Sequence, residues 1–310
     1  MNRQKSTLKS ISYTEPEQMS LASPIEKGIF NARDGTSLYY ETFGKGEPLV
    51  FCYGLLCRRE HWRHQIQHFS KSYRVIAFDY RGHQNSSFPQ NDQHMTLEWC
   101  ANDIEDLVAH LGIEKAVFLG HSMGVPVLTQ YAKKNPDVIK AMVFICGAVT
   151  NPFKDMFYTH QVDKVFYAAS ALHEISPYLM NLLWKKLSEK NRMNYLLTTR
   201  LGFNASKSEE QDVLNYMEGV NRTPFKIFNS LMKDYTQFDG KKILKKISTK
   251  TLVVAGGNDM VTPVNLQKEI AELMSHSELL IVPEGSHNAH TDFPDKVNEA
   301  VEKFLKGLGK

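Results

Sequence analysis

The stretch FLGHSMGVPV, residues 118–127, decides how this chain is read. An apolar run is broken by Gly120, His121, Ser122 and Gly124 where a buried strand pattern gives way to a helical one. Gly120-His121-Ser122-Met123-Gly124 fits G-x-S-x-G, the pattern in which a serine stands on a sharp strand-to-helix turn. In so tight a corner the positions two residues either side of the serine are crowded. Glycine there removes clashing Cβ atoms and lets the hydroxyl project above the sheet edge. Pro126 falls in the first helical turn, whose amides lack intrahelical partners, so the helix starts directly after the serine.

Outward from this corner, strand-like and helix-like runs alternate. Strands are expected at residues 37–42, 49–53, 74–78, 116–119 and 141–146. Between them Leu97, Cys100, Ala101, Ile104, Leu107, Val108 and Leu111 recur at helical spacing, with Gly112 as the stop. Such a rhythm predicts an α/β fold with a mainly parallel, doubly wound sheet. It breaks after Gly147: residues 151–239 carry helical runs rich in Phe, Tyr, Leu and Met, and are expected to form an inserted helical cap. The alternation resumes with a strand at 251–255, a helix opened by Thr262 as N-cap and Pro263, a strand at 279–282 and a C-terminal helix. The expected division is therefore a tail at 1–26, a core at 27–150 and 240–310, and a cap at 151–239. The tail is expected to be flexible.

Composition bounds the function. With 310 residues, 42% hydrophobic and 23% charged, the chain has an ordinary globular balance. A net charge of +3 on 37 basic and 34 acidic residues is too small and too evenly spread to point to nucleic acid or an acidic membrane surface as partner, and neither is expected. The longest apolar runs are strand-sized, well short of the roughly 20 residues that span a bilayer. The first twenty residues lack the apolar segment of a secretory signal. Cys52, Cys57, Cys100 and Cys146 show no C-x-x-C spacing and read as buried thiols, which suits a cytoplasmic location.

A lone serine hydroxyl is a poor nucleophile at neutral pH; it needs a base within hydrogen-bond reach and an acid to orient that base. Both types appear downstream, in loops that follow strands. Val254-Ala255-Gly256-Gly257-Asn258-Asp259 supplies a carboxylate and Pro283-Glu284-Gly285-Ser286-His287 an imidazole. Both loops lie at carboxyl ends of parallel strands, where open α/β sheets place their sites. The order Ser122, Asp259, His287 matches the nucleophile-elbow pattern. His290 is the local rival of His287. Residues 147–153 hold no Asp or Glu, so an acid after the preceding strand is not available.

These elements together resemble the α/β-hydrolase superfamily in its cap-bearing branch of esterases, lactonases and perhydrolases, from about Gly28 onward. Asp79-Tyr80-Arg81-Gly82-His83 is similar to that branch's D-x-R-G-x turn, with Gln84 where a second glycine is common. The resemblance implies Ser122 as nucleophile, His287 as base and Asp259 as its orienting acid. It implies the backbone N–H groups of Leu55 and Met123 as the oxyanion hole, with Tyr53-Gly54 replacing the usual His-Gly. It implies a small-molecule substrate and neither cofactor nor metal. The expected activity is hydrolysis of a small to medium apolar ester, lactone or thioester through an acyl-enzyme. Carbon-carbon bond hydrolysis and cofactor-free perhydrolysis use the same triad and stay open, as does a low-turnover ligand receptor on this fold. A serine at the elbow argues against alkyl-transfer relatives, whose chemistry needs a carboxylate there.

Other polar clusters have plainer readings. His61, His64 and His68 share a helix face opposite Trp62, Ile66 and Phe69, and are expected on a solvated face rather than on a metal. Arg58, Arg59 and Arg63 are expected to be a solvated helix start. Phe157, Phe166, Tyr167, Met180 and Trp184 are expected mostly to pack cap against sheet, with a minority lining an apolar pocket.

Overall fold

The computed structural model describes residues 22–309, so most of the expected tail lies outside the described residues. Eight strands form one sheet in the order β1-β2-β4-β3-β5-β6-β7-β8. They are β1 (Glu26–Asn31), β2 (Ser37–Phe43), β3 (Pro48–Cys52), β4 (Arg74–Phe78), β5 (Ala116–His121), β6 (Ile139–Ile145), β7 (Thr251–Gly256) and β8 (Ser277–Val282). From β4 to β8 every pairing is parallel, whereas β1 pairs β2 and β2 pairs β4 antiparallel. For β1 and β2 the reason is the short connection: Ala32 and Thr36 close a tight turn with Gly35 at φ 82°, and strands joined so briefly can only run antiparallel.

β1 is the strand that sequence reading passed over, and the expected tail boundary at residue 26 falls inside it. Ile25 N–H already donates to Thr42 O before the strand begins. At this sheet edge Phe30 is buried while Ile29 is exposed, so EKGIFN carries one core side chain and little strand signature. The inner strands read the opposite way. PLVFC, AVFLGH and TLVVAG are buried almost throughout, because helices cover both faces.

Those helices are α1 (Arg63–Phe69), α2 (Leu97–His110), α3 (Gly124–Lys134), then after the inserted segment α9 (Lys241–Leu244), α10 (Val264–Leu273), α11 (Ala289–Asp292) and α12 (Pro294–Gly307). The inserted segment holds α4 (Val162–Ile175), α5 (Pro177–Ser188), α6 (Arg192–Gly202), α7 (Glu210–Arg222) and α8 (Phe225–Gln237), all between β6 and β7. α2 packs on α3, α3 on α9 and α9 on α10, while α1 packs on α12. Right-handed crossovers that step in opposite directions from β3 put these two groups on opposite faces. The two ends of the inserted segment are stitched together at the sheet: Gly240 N–H donates to Val149 O at 2.7 Å and Tyr235 OH to Ala148 O at 2.6 Å.

The D-x-R-G-x turn after β4 is a structural bolt. Arg81 has no solvent exposure; its Nε donates to Asp103 of α2 at 2.7 Å, and Nη1 reaches Asp34 and the His94 carbonyl, each at 3.0 Å. It thereby ties β4 to α2 and to the β1–β2 turn. Asp103→Ala leaves that guanidinium buried without its main carboxylate, and is expected to lower stability by about 3–5 kcal/mol; a urea unfolding midpoint matching wild type would show that the bolt carries no load.

Candidate active site

Ser122 sits between β5 and α3 with φ 52°, a left-handed conformation that is uncommon for a non-glycine residue. The corner is crowded as its sequence implies. A Cβ at Gly124 would stand 2.2 Å from Cys52 O, and one at Gly120 would stand 2.8 Å from Gly124 O. Ser122 N–H donates to Ile145 O at 3.0 Å and Ser122 O accepts from Val125 N–H at 3.0 Å, so strand and helix hold the strained residue from both sides.

The three residues singled out far apart in sequence meet here. His287 Nε2 is 3.0 Å from Ser122 Oγ, and His287 Nδ1 is 3.0 Å from Asp259 Oδ2. His290 does not reach the serine; it lies buried behind it. Asp259 is itself held by three donors: the N–H groups of Val261 and Thr262, both at 2.8 Å, and Thr262 Oγ1 at 2.9 Å. Here the expectation for Thr262 needs correction. Pro263, not Thr262, is the N-cap of α10. The threonine hydroxyl is turned inward, within 3.0 Å of Cys146 O and 3.3 Å of His287 Nδ1. Gln267 was not singled out; its Nε2 donates to Gly147 O and Thr262 O at 2.8 and 3.0 Å, fixing the acid loop to the end of β6. No sequence signal marks it beyond a polar residue on an amphipathic helix.

Leu55 and Met123 both line the cavity above Ser122. Gly54 lets their loops approach: a Cβ there would stand 2.9 Å from Ser122 Cβ. Tyr53 explains what replaces the more common histidine. Its buried hydroxyl donates to Asp79 Oδ1 at 3.2 Å and accepts from Tyr80 N–H at 3.0 Å, pinning the β3 loop to the end of β4. Gln84, in the place of a second glycine, takes the left-handed backbone at φ 45° that a glycine would adopt without strain.

Of the histidines and arginines expected on a solvated face, His61 and Arg63 are buried, His64, Arg58 and Arg59 are partly buried, and His68 stays partly exposed beside Glu302. His61 is buried, with its ring centroid 5.0 Å from that of His121 and 4.8 Å from that of His290. Burial lowers His61 to about 4 and drives His121 and His290 well down, so the stack is neutral at physiological pH. His121 Nε2 lies 3.0 Å from His287 O, a carbonyl that can only accept, which puts the His121 proton on Nε2. Arg63 and His64 both bind Asp212 of α7, and Arg63 also reaches Glu209. Arg58 pairs with Glu60, and Arg59 with Glu41 and Glu60. These charges dock the inserted helices and steady the loop after Leu55. For His61, His64 and Arg63 the neighbours come from other elements, so periodicity within one helix could not reveal them.

Among the described residues two sets of donor atoms lie within 4.8 Å of one another: Cys57, His61 and His121, and His64, Glu209 and Asp212. In the first, burial raises the Cys57 thiol to about 12, so a metal ion would have to displace a firmly held proton. In the second, Arg63 already neutralises Asp212.

A cavity of about 340 Å³ opens over Ser122 and His287. Its wall is mainly apolar and comes from both the sheet loops and the inserted helices, with Phe153, Phe157, Leu197, Phe203 and Met232 among the contributors. Of the side chains expected to pack the inserted segment, Phe157 lines the cavity with φ 55°, and Phe166 and Met180 are buried. Trp184 stacks on Phe228, and Tyr167 is exposed.

The sequence profile of the alpha/beta hydrolase fold matches residues 47–294, and the chain belongs to that family. The family points to a hydrolase. The chain is 26% identical to a bifunctional esterase/perhydrolase of Acinetobacter calcoaceticus over 90% of its own length and 99% of the relative's. It is 24% identical to an epoxide hydrolase of Caenorhabditis elegans over 86% and 67%. Among solved structures, the enol-lactonase of Burkholderia xenovorans superposes with a TM-score of 0.72 at 19% identity, over 90% of this chain and all of that one.

Two tests follow from the Tyr53 pin. Tyr53→Phe strands the buried Tyr80 N–H, and is expected to cost about 1–3 kcal/mol of stability in chemical denaturation. Its van der Waals contacts stay, so an unchanged unfolding midpoint would refute the pin. Burial raises the Asp79 carboxyl from 3.8 to about 6. A raised folded value means the native state holds this proton more tightly, so the group's contribution falls as pH climbs from about 4 to about 6. The stability difference between wild type and Asp79→Asn is expected to change across that window and to level off above it. A difference independent of pH would contradict the assignment.

Proposed function

We propose that the protein is a serine hydrolase that cleaves a small to medium apolar carboxylic ester, lactone or thioester through an acyl-enzyme on Ser122. The observation that carries this reading is the continuous hydrogen-bond path Ser122 Oγ, His287 Nε2, His287 Nδ1, Asp259 Oδ2 at the floor of an apolar cavity. Ser122 Oγ attacks the acyl carbon as His287 Nε2 takes its proton. Asp259 fixes the tautomer and stabilises the imidazolium. The N–H groups of Leu55 and Met123 stabilise the developing oxyanion, each worth about 3–4 kcal/mol. Collapse expels the leaving group with the proton from His287. Water, deprotonated by the same nitrogen, then attacks the acyl carbon, releases the acid and restores the serine.

The neutral histidine stack supports the same mechanism, because it sets no fixed positive charge against a developing imidazolium at His287. Perhydrolysis is a second reading favoured by the similarity to an esterase/perhydrolase, since peroxide can replace water in the deacylation step without a change of residues. Epoxide opening is not carried over from the nematode relative, because that chemistry needs a carboxylate where Ser122 stands.

A fluorophosphonate probe is expected to label Ser122 in the wild type and to leave Ser122→Ala unlabelled. Asp259→Asn is expected to lower kcat on a short-chain aryl ester by about 10⁴-fold. Unlabelled wild type together with no turnover across an ester panel would instead favour a ligand receptor that keeps the fold.

A further inference from the structure

Two of the inserted helices, α5 and α6, leave most of their large apolar side chains exposed. An ordinary amphipathic helix turns its apolar stripe to the core and its polar face to water. In α6 the buried position is Asn194, while Met193, Leu196, Leu197 and Leu201 face solvent at helical spacing. In α5, Tyr178, Leu179, Leu182, Leu183 and Leu187 do the same, while Met180 and Ser188 are buried. Nine of the eighteen large apolar side chains exposed among the described residues therefore lie on these two short helices. The helices are locked next to each other, since Asn194 Nδ2 donates to Lys186 O at 3.2 Å and to Glu189 O at 2.9 Å across the turn between them.

Charge says what covers this face. Residues 177–202 contain five basic side chains, Lys185, Lys186, Lys190, Arg192 and Arg200, against one acidic, Glu189. That local excess is larger than the +3 of the whole chain. All five are exposed, and among the described residues only Lys190 has an ion-pair partner, Glu218. A second copy meeting this face through the same patch would set positive charge against positive charge. A layer that is apolar within and negative at its rim satisfies both features at once.

We propose that α5 and α6 dock the protein on a lipid bilayer carrying anionic headgroups, with the leucines in the acyl boundary and the basic side chains on the phosphates. Leu197 and Leu201 are exposed and also line the cavity over Ser122, so the docked face and the mouth of the cavity are continuous. Docking rests on the helices alone. The corollary that an acyl ester passes from the bilayer to Ser122 rests on the hydrolase reading above.

Flotation of the full chain with vesicles of phosphatidylglycerol and phosphatidylcholine, compared with phosphatidylcholine alone, tests the docking. Binding to the anionic vesicles is expected, weakening as salt rises. Lys185→Ala and Lys186→Ala are each expected to weaken it about 5-fold. Leu183→Glu with Leu196→Glu, neither of which lines the cavity, is expected to weaken it at least about 10-fold. These variants should retain wild-type thermal unfolding and soluble-ester turnover. Absence of binding to anionic vesicles, or binding indifferent to all four substitutions, overturns the proposal. So does a dimer in sedimentation equilibrium that Leu196→Glu abolishes while vesicles go unbound, which would assign the face to a second copy. Vesicle binding without fluorophosphonate labelling would sink the hydrolase reading and leave the docking intact; labelling without vesicle binding would do the reverse.

Discussion

The backbone of Ser122 is the constraint on which the site depends. A non-glycine residue at φ 52° is strained by about 1–3 kcal/mol and persists only where its surroundings over-determine it. They do so here through β5, buried on both faces, and through α3, which begins two residues later. Close approaches by Cys52 O and Gly124 O leave no room for side chains at the flanking glycines. The same strain that costs stability keeps the hydroxyl clear of both elements, at the carboxyl edge of the sheet where loops from other strands reach it.

What those loops bring is a buried network of polar side chains that hydrogen-bond one another and the backbone. Each member of the relay has a second partner outside it. Asp259 accepts from two backbone N–H groups and the Thr262 hydroxyl, and Thr262 O in turn accepts from Gln267. The histidine loop is tied down through Ser286 N–H to Asp292 Oδ2 at 2.8 Å and through Asn288 Nδ2 to Gly202 O at 2.7 Å. That last bond comes from the end of α6, so the inserted helices help to position the His287 loop as well as to roof the cavity. Buried hydrogen bonds of this kind rigidify a site, because in a low dielectric each lost partner leaves an expensive orphan.

The inserted segment solves a different problem from the sheet. The sheet domain buries its apolar side chains and places its few internal charges in pairs, as at Arg81 and Asp103. α5 and α6 leave theirs in water beside unpaired lysines and arginines. The rest of the inserted segment attaches to the core both by burial, with Phe166 of α4 and Ile227, Leu231 and Met232 of α8 in the core cluster, and by charge, with Arg63 and His64 on Asp212 of α7. With α4, α7 and α8 making that attachment, α5 and α6 are left to present an apolar face outward.

By itself the sequence determined the α/β alternation, the serine corner and the residue types that answer it, because those are local: glycines two either side of a serine, and polar loops after apolar strands. It also marked Asp259 and His287, since each follows a strand whose end faces the same edge. Antiparallel β1 was missed because an edge strand with one buried side chain has no periodic signature. The histidine and arginine cluster after Leu55 was misread for a related reason. Whether His61 meets water or His121 and His290, and whether Arg63 meets water or Asp212, depends on residues roughly 60 to 230 positions away. Only the tertiary structure decided those contacts, along with Thr262 on the acid and Tyr53 on Asp79, because burial and charge pairing are properties of the packed chain, whereas spacing along one element reports only which side chains share a face.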